Sequence, residues 1–565
     1  MQSRNDVTKL PDLGSTRGRV SPQRTRRPLY VDMLPPCNAG CPAGENIQRW
    51  LYLIKLGRTE DAWRQLTADN PFPAVHGRVC YHPCETVCNR ADLDESVSIH
   101  GVERYLGDLA IENGWTFEKP ERSSGKKVLV IGAGPSGLSA ACHLARLGHH
   151  VEIRDASEAP GGMMRWGIPE YRLPRDVLDA EIARLTRDLG VVITCNHPVH
   201  DLAAEIREGG FDACFIAIGA HLSKKVDIPA QDASKMVDAV DFLRTVAGGA
   251  RPTIGRKVAI YGGGNTAMDA ARTARRLGAD EATIIYRRTR GQMPAHEDEA
   301  VAAEAEGVHI NWLQTITDVG DDITVEIMEL DESGRPRGTG RFEKLDADTV
   351  IMAVGQKPDT GFLHNIPGLR FEDDTLQVDP DTLMSDAPGI FAGGDAVPSE
   401  RTVTVGTGHG KRAARNIDLY LTSGHLAPTA KHPVVEFGQM NLWYFRDSDS
   451  RRGQVEADVD ERVAHFGEIV AGLTPDEALF EAQRCLSCGN CFECDGCLGA
   501  CPEDAVIKLG TDHRYRFDYD KCTGCATCAD QCPVQAIVMV PEGVELPAEL
   551  AEAASAHEEI TRKGL

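Results

Sequence analysis

No apolar run in this chain approaches the ~18–20 residues that a membrane span needs. The opening stretch, MQSRNDVTKLPDLGSTRGRV, has no apolar core, so no secretory signal is expected. Arg26-Arg27 is followed by Pro28 and is not a twin-arginine export signal. Basic charge is also in short supply: 61 Lys and Arg face 85 Asp and Glu, a formal charge of −24. Such a surface repels nucleic acid and anionic lipid, so neither is expected as a partner, and the expected location is the cytoplasm. The eighteen histidines show no HExxH-type pairing, and no acid–base triad is visible. What is left is 565 residues, enough for three to four domains, and 42% hydrophobic, enough to bury several cores.

Cysteine is what the chain has in quantity. Eighteen cysteines without an export signal point to metal ligands rather than disulfides. Five fall between Cys37 and Cys88 and ten between Cys485 and Cys532. Cys142, Cys195 and Cys214 lie between those groups without ligand-like spacing and read as small core residues.

Residues 1–30 are Pro- and Arg-rich, aperiodic, and read as a flexible arm. Helix-like apolar spacing over Ile47–Leu56 and Glu60–Asn70, with cysteines on either side, predicts a small helical domain with metal-ligand loops over 31–121. Two strand–glycine turn–helix–strand patterns follow, Lys126–Ala156 and Arg256–Arg288, and predict two Rossmann-like α/β nucleotide-binding domains. The expected divisions are an FAD domain over 122–250 and 345–425, with an NADP domain over 251–344 between them. Residues 426–484 read as a connecting region, in which Thr474-Pro475-Asp476-Glu477 signals a helix start. An α+β two-cluster ferredoxin-like domain is expected over 485–540 and a peripheral acidic tail over 541–565.

In the first pattern Gly132, Gly134 and Gly137 form GxGxxG between a strand and a helix, and Asp155 closes the second strand 23 residues after Gly132. The glycines allow a tight turn, a close pyrophosphate and a close helix, and Asp155 would accept ribose hydroxyls. Gly162 soon after, and Gly394-Asp395 at the end of a downstream strand, favour a flavin. In the second pattern the turn is Gly262-Gly263-Gly264-Asn265-Thr266-Ala267, a GxGxxA variant. No acid closes its second strand; Tyr286 is followed by Arg287 and Arg288. Arginine suits a 2′-phosphate through charge-assisted bonds and so favours NADP(H), against the alternative of a solvated arginine face.

The strongest motif is CxxCxxCxxxCP at Cys491, Cys494, Cys497 and Cys501, repeated 31 residues later at Cys522, Cys525, Cys528 and Cys532. It resembles the two-cluster bacterial ferredoxins, and zinc sites do not use this doubled spacing. The resemblance assigns Cys491, Cys494, Cys497 and Cys532 to one [4Fe–4S] cluster. It assigns Cys522, Cys525, Cys528 and Cys501 to the other.

PCNAGCPAGENI, GRVCYHPCETVC, SIHGVERYLGD, GGMMRWGIPEYRLP, GGGNTAMDAARTA and YRRTRGQMPA together resemble the glutamate synthase small subunit family. Dihydropyrimidine dehydrogenase shares its N-terminal iron–sulfur domain. The resemblance covers roughly residues 30 to 420. Family members open with a CxxC pair, in an RCLxC context, before the position of Cys37; this chain has none there. RCLSC occurs instead at Arg484 to Cys488, and the ferredoxin pattern does not need Cys485 or Cys488. The expectation is that these two complete a cluster with Cys37 and Cys88. The family pattern then leaves Cys41, Cys80, Cys84 and Glu103 for a second N-terminal cluster, Glu103 standing where the family carries a non-cysteine ligand. The alternative is that Cys485 and Cys488 are vestigial and one cluster is missing.

The function this implies is an NAD(P)H-linked FAD and iron–sulfur oxidoreductase subunit. It would pass electrons between NADPH and a ferredoxin-type acceptor or a separate catalytic subunit. A 2-oxoacid:ferredoxin oxidoreductase or a sulfite reductase-type enzyme are examples. The alternative is a glutamate synthase small subunit, which normally lacks the added ferredoxin-like domain. A self-contained pyrimidine reductase would need an FMN barrel of ~250 residues, for which no room remains. A non-catalytic redox sensor would not need two intact dinucleotide sites.

Overall fold

The computed structural model describes residues 24–546, except 225, 227, 230–232, 425, 427–431 and 449, together with Ala551 and Ala554. Most of the tail expected over 541–565 lies outside the described residues, as does the arm expected over 1–30 up to residue 23.

The N-terminal part is helical. Asn46 caps the helix Ile47–Lys55 by accepting from Arg49 N. Its apolar face packs with Ala62 and Leu66 of the helix Thr59–Thr67 and with Ile99, Val102 and Leu106 of Ile99–Glu112. Pro73 opens the helix Pro73–Val79, since a missing N–H costs nothing in a first turn.

Two five-stranded parallel sheets follow. The first has the order Ile390–Ala392, Ala213–Ile216, Lys127–Ile131, His150–Arg154, Val192–Thr194. Lys127–Ile131 is buried along nearly its whole length, as a central parallel strand must be. Helices Pro135–Arg146 and Val403–Thr422 lie on this sheet. They touch so closely that a side chain at Gly410 would collide with the Ser136 carbonyl.

The second sheet has the order Val308–Trp312, Glu281–Tyr286, Lys257–Tyr261, Thr349–Met352, Met236–Asp238. Two of its strands fall within the ranges expected for the FAD domain. Met236–Asp238 and Thr349–Met352 were assigned to the FAD domain over 122–250 and 345–425, yet they complete the second sheet. A parallel sheet fills both flanks of its central strand, and Lys257–Tyr261 takes one of these flanks from Thr349–Met352. A meander of Gln314–Val319, Ile323–Leu330 and Pro336–Leu345 covers the far side, packing Ile316, Ile323 and Val325 on Tyr261 and Ile285.

The connecting region holds the capped helix Pro475–Arg484, with Thr474 and Glu477 forming a reciprocal capping box. Its Ala478 and Ala482 pack into the N-terminal helices. The ferredoxin-like part carries short helices Gly496–Ala500 and Thr527–Asp530 and an antiparallel pair Val506–Lys508 with Tyr515–Phe517.

Within the arm expected over 1–30, the described residues Arg26–Tyr30 form a strand antiparallel to Ile537–Pro541. Local composition could not reveal it, because its partner lies at the other end of the chain. Arg24 holds the start of this strand through Tyr519 O at 2.6 Å and an ion pair with Glu542.

Candidate dinucleotide and iron–sulfur sites

Each glycine turn leads from a buried strand into a helix N-terminus. Gly132 has φ +102°, and a Cβ there would strike the Ala217 carbonyl; one on Gly137 would strike Gly132's carbonyl. Gly134, the N-cap of Pro135–Arg146, differs: the nearest atom to its Cβ position is Gly162 Cα, at 3.9 Å. The space that a pyrophosphate would need is therefore open where the helix N–H groups point. Asp155 accepts from Ala133 N at 2.6 Å and from Ser157 N at 2.7 Å, so the residue expected to hold ribose also clamps the loop. Gly394 N donates to His409 Nδ1 at 3.1 Å, and burial pushes the carboxyl of Asp395 up to about 6.

The second turn repeats the arrangement. A Cβ on Gly262 would strike Ala353's carbonyl, while Gly264, capping Asn265–Arg276, has nothing within 4 Å of its Cβ position. Asn265 Oδ1 accepts from His296 N at 2.9 Å, and Thr266 Oγ1 accepts from Gln356 Nε2 at 3.4 Å. Arg287 is exposed just past the strand Glu281–Tyr286, and Arg288 Nε is buried with no hydrogen-bond partner among the described residues. An orphaned guanidinium N–H beside an exposed arginine suits an anionic group such as a 2′-phosphate.

The eighteen cysteines are all free thiols. Cys37, Cys88, Cys485 and Cys488 line one cavity. Burial, together with Cys88, Cys485 and Cys488, raises the Cys37 thiol well above its ordinary value. Cys485 is pushed up to about 11 by burial, opposed by the Ser487 backbone N–H. The docking that brings these segments together is built from charge: Arg49 forms a buried two-point pair with Asp512 at 2.8 and 3.1 Å, and Arg484 pairs with Asp94 at 2.9 Å. Asn89 Nδ2 reaches Cys488 Sγ at 3.5 Å.

A second cavity is lined by Cys501, Cys522, Cys525 and Cys528. Cys525 is exposed, unlike the other seventeen cysteines. The thiols of Cys491, Cys494, Cys497 and Cys532 form a separate group: burial raises Cys491, and Cys497 and Cys532 add to it. The thiols of this group, with ionisation disfavoured by burial, suit a metal cluster, whose positive charge favours the thiolates.

Cys41, Cys80 and Cys84 lie together, and Glu103 faces Cys41 and Cys80. Burial pushes the Cys80 thiol up to about 12, with Glu103 the next cause. Glu103 is itself buried and its carboxyl is driven well up by burial and by Glu45. Asn70 Nδ2 bridges the two acids, donating to Glu103 Oε1 at 2.7 Å and to Glu45 Oε1 at 3.0 Å. Sequence reasoning missed Glu45 and Asn70, for which no motif gives a signal. It also missed Tyr81, next to Cys80, whose ring stacks on His296 at 3.4 Å and so joins the helical domain to the second turn.

No helix among the described residues is long and apolar enough to cross a membrane. Residues 126–410 match the pyridine nucleotide-disulphide oxidoreductase family model. Residues 13–115 match that of dihydropyrimidine dehydrogenase domain II, 4Fe-4S cluster, and 515–538 that of the 4Fe-4S binding domain. The chain is 38% identical over 503 residues to the NADP(+)-dependent formate dehydrogenase subunit beta of Moorella thermoacetica, covering 80% of this chain and 70% of that one. It is 34% identical over 506 residues to the NADPH-Fe(3+) oxidoreductase subunit beta of Geobacter sulfurreducens, covering 80% and 75%. It is 33% identical over 430 residues to the glutamate synthase [NADPH] small chain of Azospirillum brasilense, covering 70% and 88%. The chain thus belongs to the pyridine nucleotide-disulphide oxidoreductase family, as an FAD-, NADP(H)- and [4Fe–4S]-dependent oxidoreductase of the glutamate synthase small-subunit type.

Proposed function

We propose that this chain is the NADPH-linked electron-exchange subunit of a larger enzyme, with four [4Fe–4S] clusters and its outside contact at the ferredoxin-like end. The observation that carries this reading is the cavity shared by Cys37, Cys88, Cys485 and Cys488, because it joins the N-terminal and C-terminal iron–sulfur segments into one assembly.

When bound, the flavin exchanges a two-electron hydride with the nicotinamide and single electrons with iron–sulfur clusters. The chain's own work is placement. Gly132, Gly134, Gly137 and Gly162 would cradle the FAD pyrophosphate, Asp155 its ribose, and Gly394 and Asp395 the far side of the cofactor. Gly262, Gly264, Asn265 and Thr266 would cradle NADP(H), with Arg287 and Arg288 on the 2′-phosphate. The cluster ligands would be the four groups described above: Cys37 with Cys88, Cys485 and Cys488; Cys41 with Cys80, Cys84 and Glu103; Cys491 with Cys494, Cys497 and Cys532; and Cys501 with Cys522, Cys525 and Cys528.

Exposure supports the contact point. Cys525 is the most exposed of the cysteines, and the exposed Glu503, Asp504, Asp520 and Asp530 outnumber the exposed Lys521 in the segments that carry its group. A partner with a basic docking surface would be drawn to it. Its class is a separate catalytic subunit or a ferredoxin-type carrier, as the beta-subunit and small-chain relatives suggest. A glutamate synthase role would leave the ferredoxin-like segment without a task.

The test is NADPH-dependent reduction of a one-electron protein carrier by the full chain and by Cys525→Ala. The proposal predicts that the variant loses carrier reduction while NADPH still bleaches its flavin. Undiminished carrier reduction would put the contact elsewhere.

A further inference from the structure

The strand Arg26–Tyr30 places one side chain against an expected cluster ligand. Tyr30 is buried, and its hydroxyl lies 3.1 Å from Cys497 Sγ. The ring is stacked on Phe517 at 4.5 Å and on Tyr515 at 6.3 Å. Its backbone is fixed opposite Ile537, and the next residue, Val31, donates to Ala536 O at 3.1 Å. The phenol therefore has little freedom to turn away.

Geometry alone allows either atom to donate. Chemistry decides: a cysteine that ligates iron has given up its proton, so the bond must be O–H to sulfur. We propose that Tyr30 is a positioning residue that acts through Cys497, raising the reduction potential of the cluster held by Cys491, Cys494, Cys497 and Cys532. This rests on the ligand assignment made above. Reduction adds negative charge that is shared by the ligand sulfurs. A donor aimed at one of them favours the reduced state, which is how hydrogen bonds to sulfur tune such centres.

The internal repeat supplies a built-in control. Cys528 stands 31 residues after Cys497, in the matching position of the second run. Among the described residues, no side-chain hydroxyl is bonded to Cys528, although Thr527 Oγ1 lies 3.3 Å from Cys525 Sγ in the same group. The N-terminal strand thus gives one of the two repeated ligand groups a phenol donor at a position where the other has none. It does so from the far end of the chain, so the ferredoxin-like part alone would lack this bond.

The experiment is a redox titration of full-length holoprotein, wild type and Tyr30→Phe, followed by electron paramagnetic resonance. Iron is assayed on both, and Cys497→Ala is prepared alongside. The expected result is that Tyr30→Phe keeps its iron and lowers one cluster by about tenfold in its reduction equilibrium, about 59 mV for a one-electron couple, leaving the others unmoved. Unmoved potentials, or an equal shift of all, overturn the proposal. A Cys497→Ala protein with full iron would instead overturn the ligand assignment. A second readout does not depend on the variant folding: the reduced wild-type protein should show an exchangeable proton coupled to that cluster, and its absence also overturns the proposal.

Discussion

Cys37 and Cys488, near opposite ends of the sequence, line the same cavity. The C-terminal pair enters it from the end of the helix Pro475–Arg484, whose apolar face is buried against the N-terminal helices. On this account neither segment completes its cluster alone, and the cysteine pair missing before Cys37 is supplied from behind.

Replacing both Cys485 and Cys488 by alanine should remove about four irons per chain. The paramagnetic signals of the ferredoxin-like clusters should persist, because their ligand groups are separate. Iron analysis with spectroscopy on the same sample checks this, and unchanged iron would mean that the pair is vestigial.

Arg287 is exposed at the end of the strand Glu281–Tyr286, where a 2′-phosphate would lie. Arg287→Ala should weaken NADPH by about 1.5–3 kcal/mol, about ten- to hundredfold in KM, and leave NADH nearly unchanged. Equal loss for both nucleotides would show that the residue does not read the phosphate.

Gly134 separates folding from binding. Its backbone has φ −80°, and nothing crowds its Cβ position. Gly134→Ala should change flavin-free stability by no more than about 0.5 kcal/mol. The methyl group would nevertheless occupy the pyrophosphate's space, so flavin content should fall sharply. A variant that unfolds before losing flavin would contradict the assignment of this cradle.

Asp395 makes flavin-free protein pH-sensitive. Burial lifts its carboxyl from 3.8 to about 6, so the folded state binds this proton more tightly than the unfolded state. Its contribution to stability is full below about pH 4 and is lost as pH rises through about 6. Denaturant titrations of flavin-free protein across that window should show the loss, and Asp395→Asn should remove it. The same slope in the variant would trace it to another group.

The parts legible in sequence were those written in local patterns. The two glycine turns, Thr474 as a cap and the doubled cysteine run each lie within a few residues, where strand, turn and helix preferences act. Ligand counting also raised the expectation that Cys485 and Cys488 reach back to Cys37, because RCLSC was surplus to the ferredoxin run, and the three cysteines line one cavity. The rest depends on pairing across the chain. Arg26–Tyr30 becomes a strand only because Ile537–Pro541 offers it an edge. Met236–Asp238 joins the second sheet through Thr349–Met352, which no local pattern announces. Asn70 is an ordinary helix-end residue until Glu45 and Glu103 close on it.

The central claim is that one chain connects NADPH to a cluster-bearing exit. Anaerobic titration of the purified holoprotein with NADPH, with NADH as control, tests it most directly by following flavin and cluster absorbance together. The account predicts that NADPH bleaches both, with NADH far less effective. Flavin bleaching with the cluster absorbance unmoved, even at excess NADPH, would contradict it.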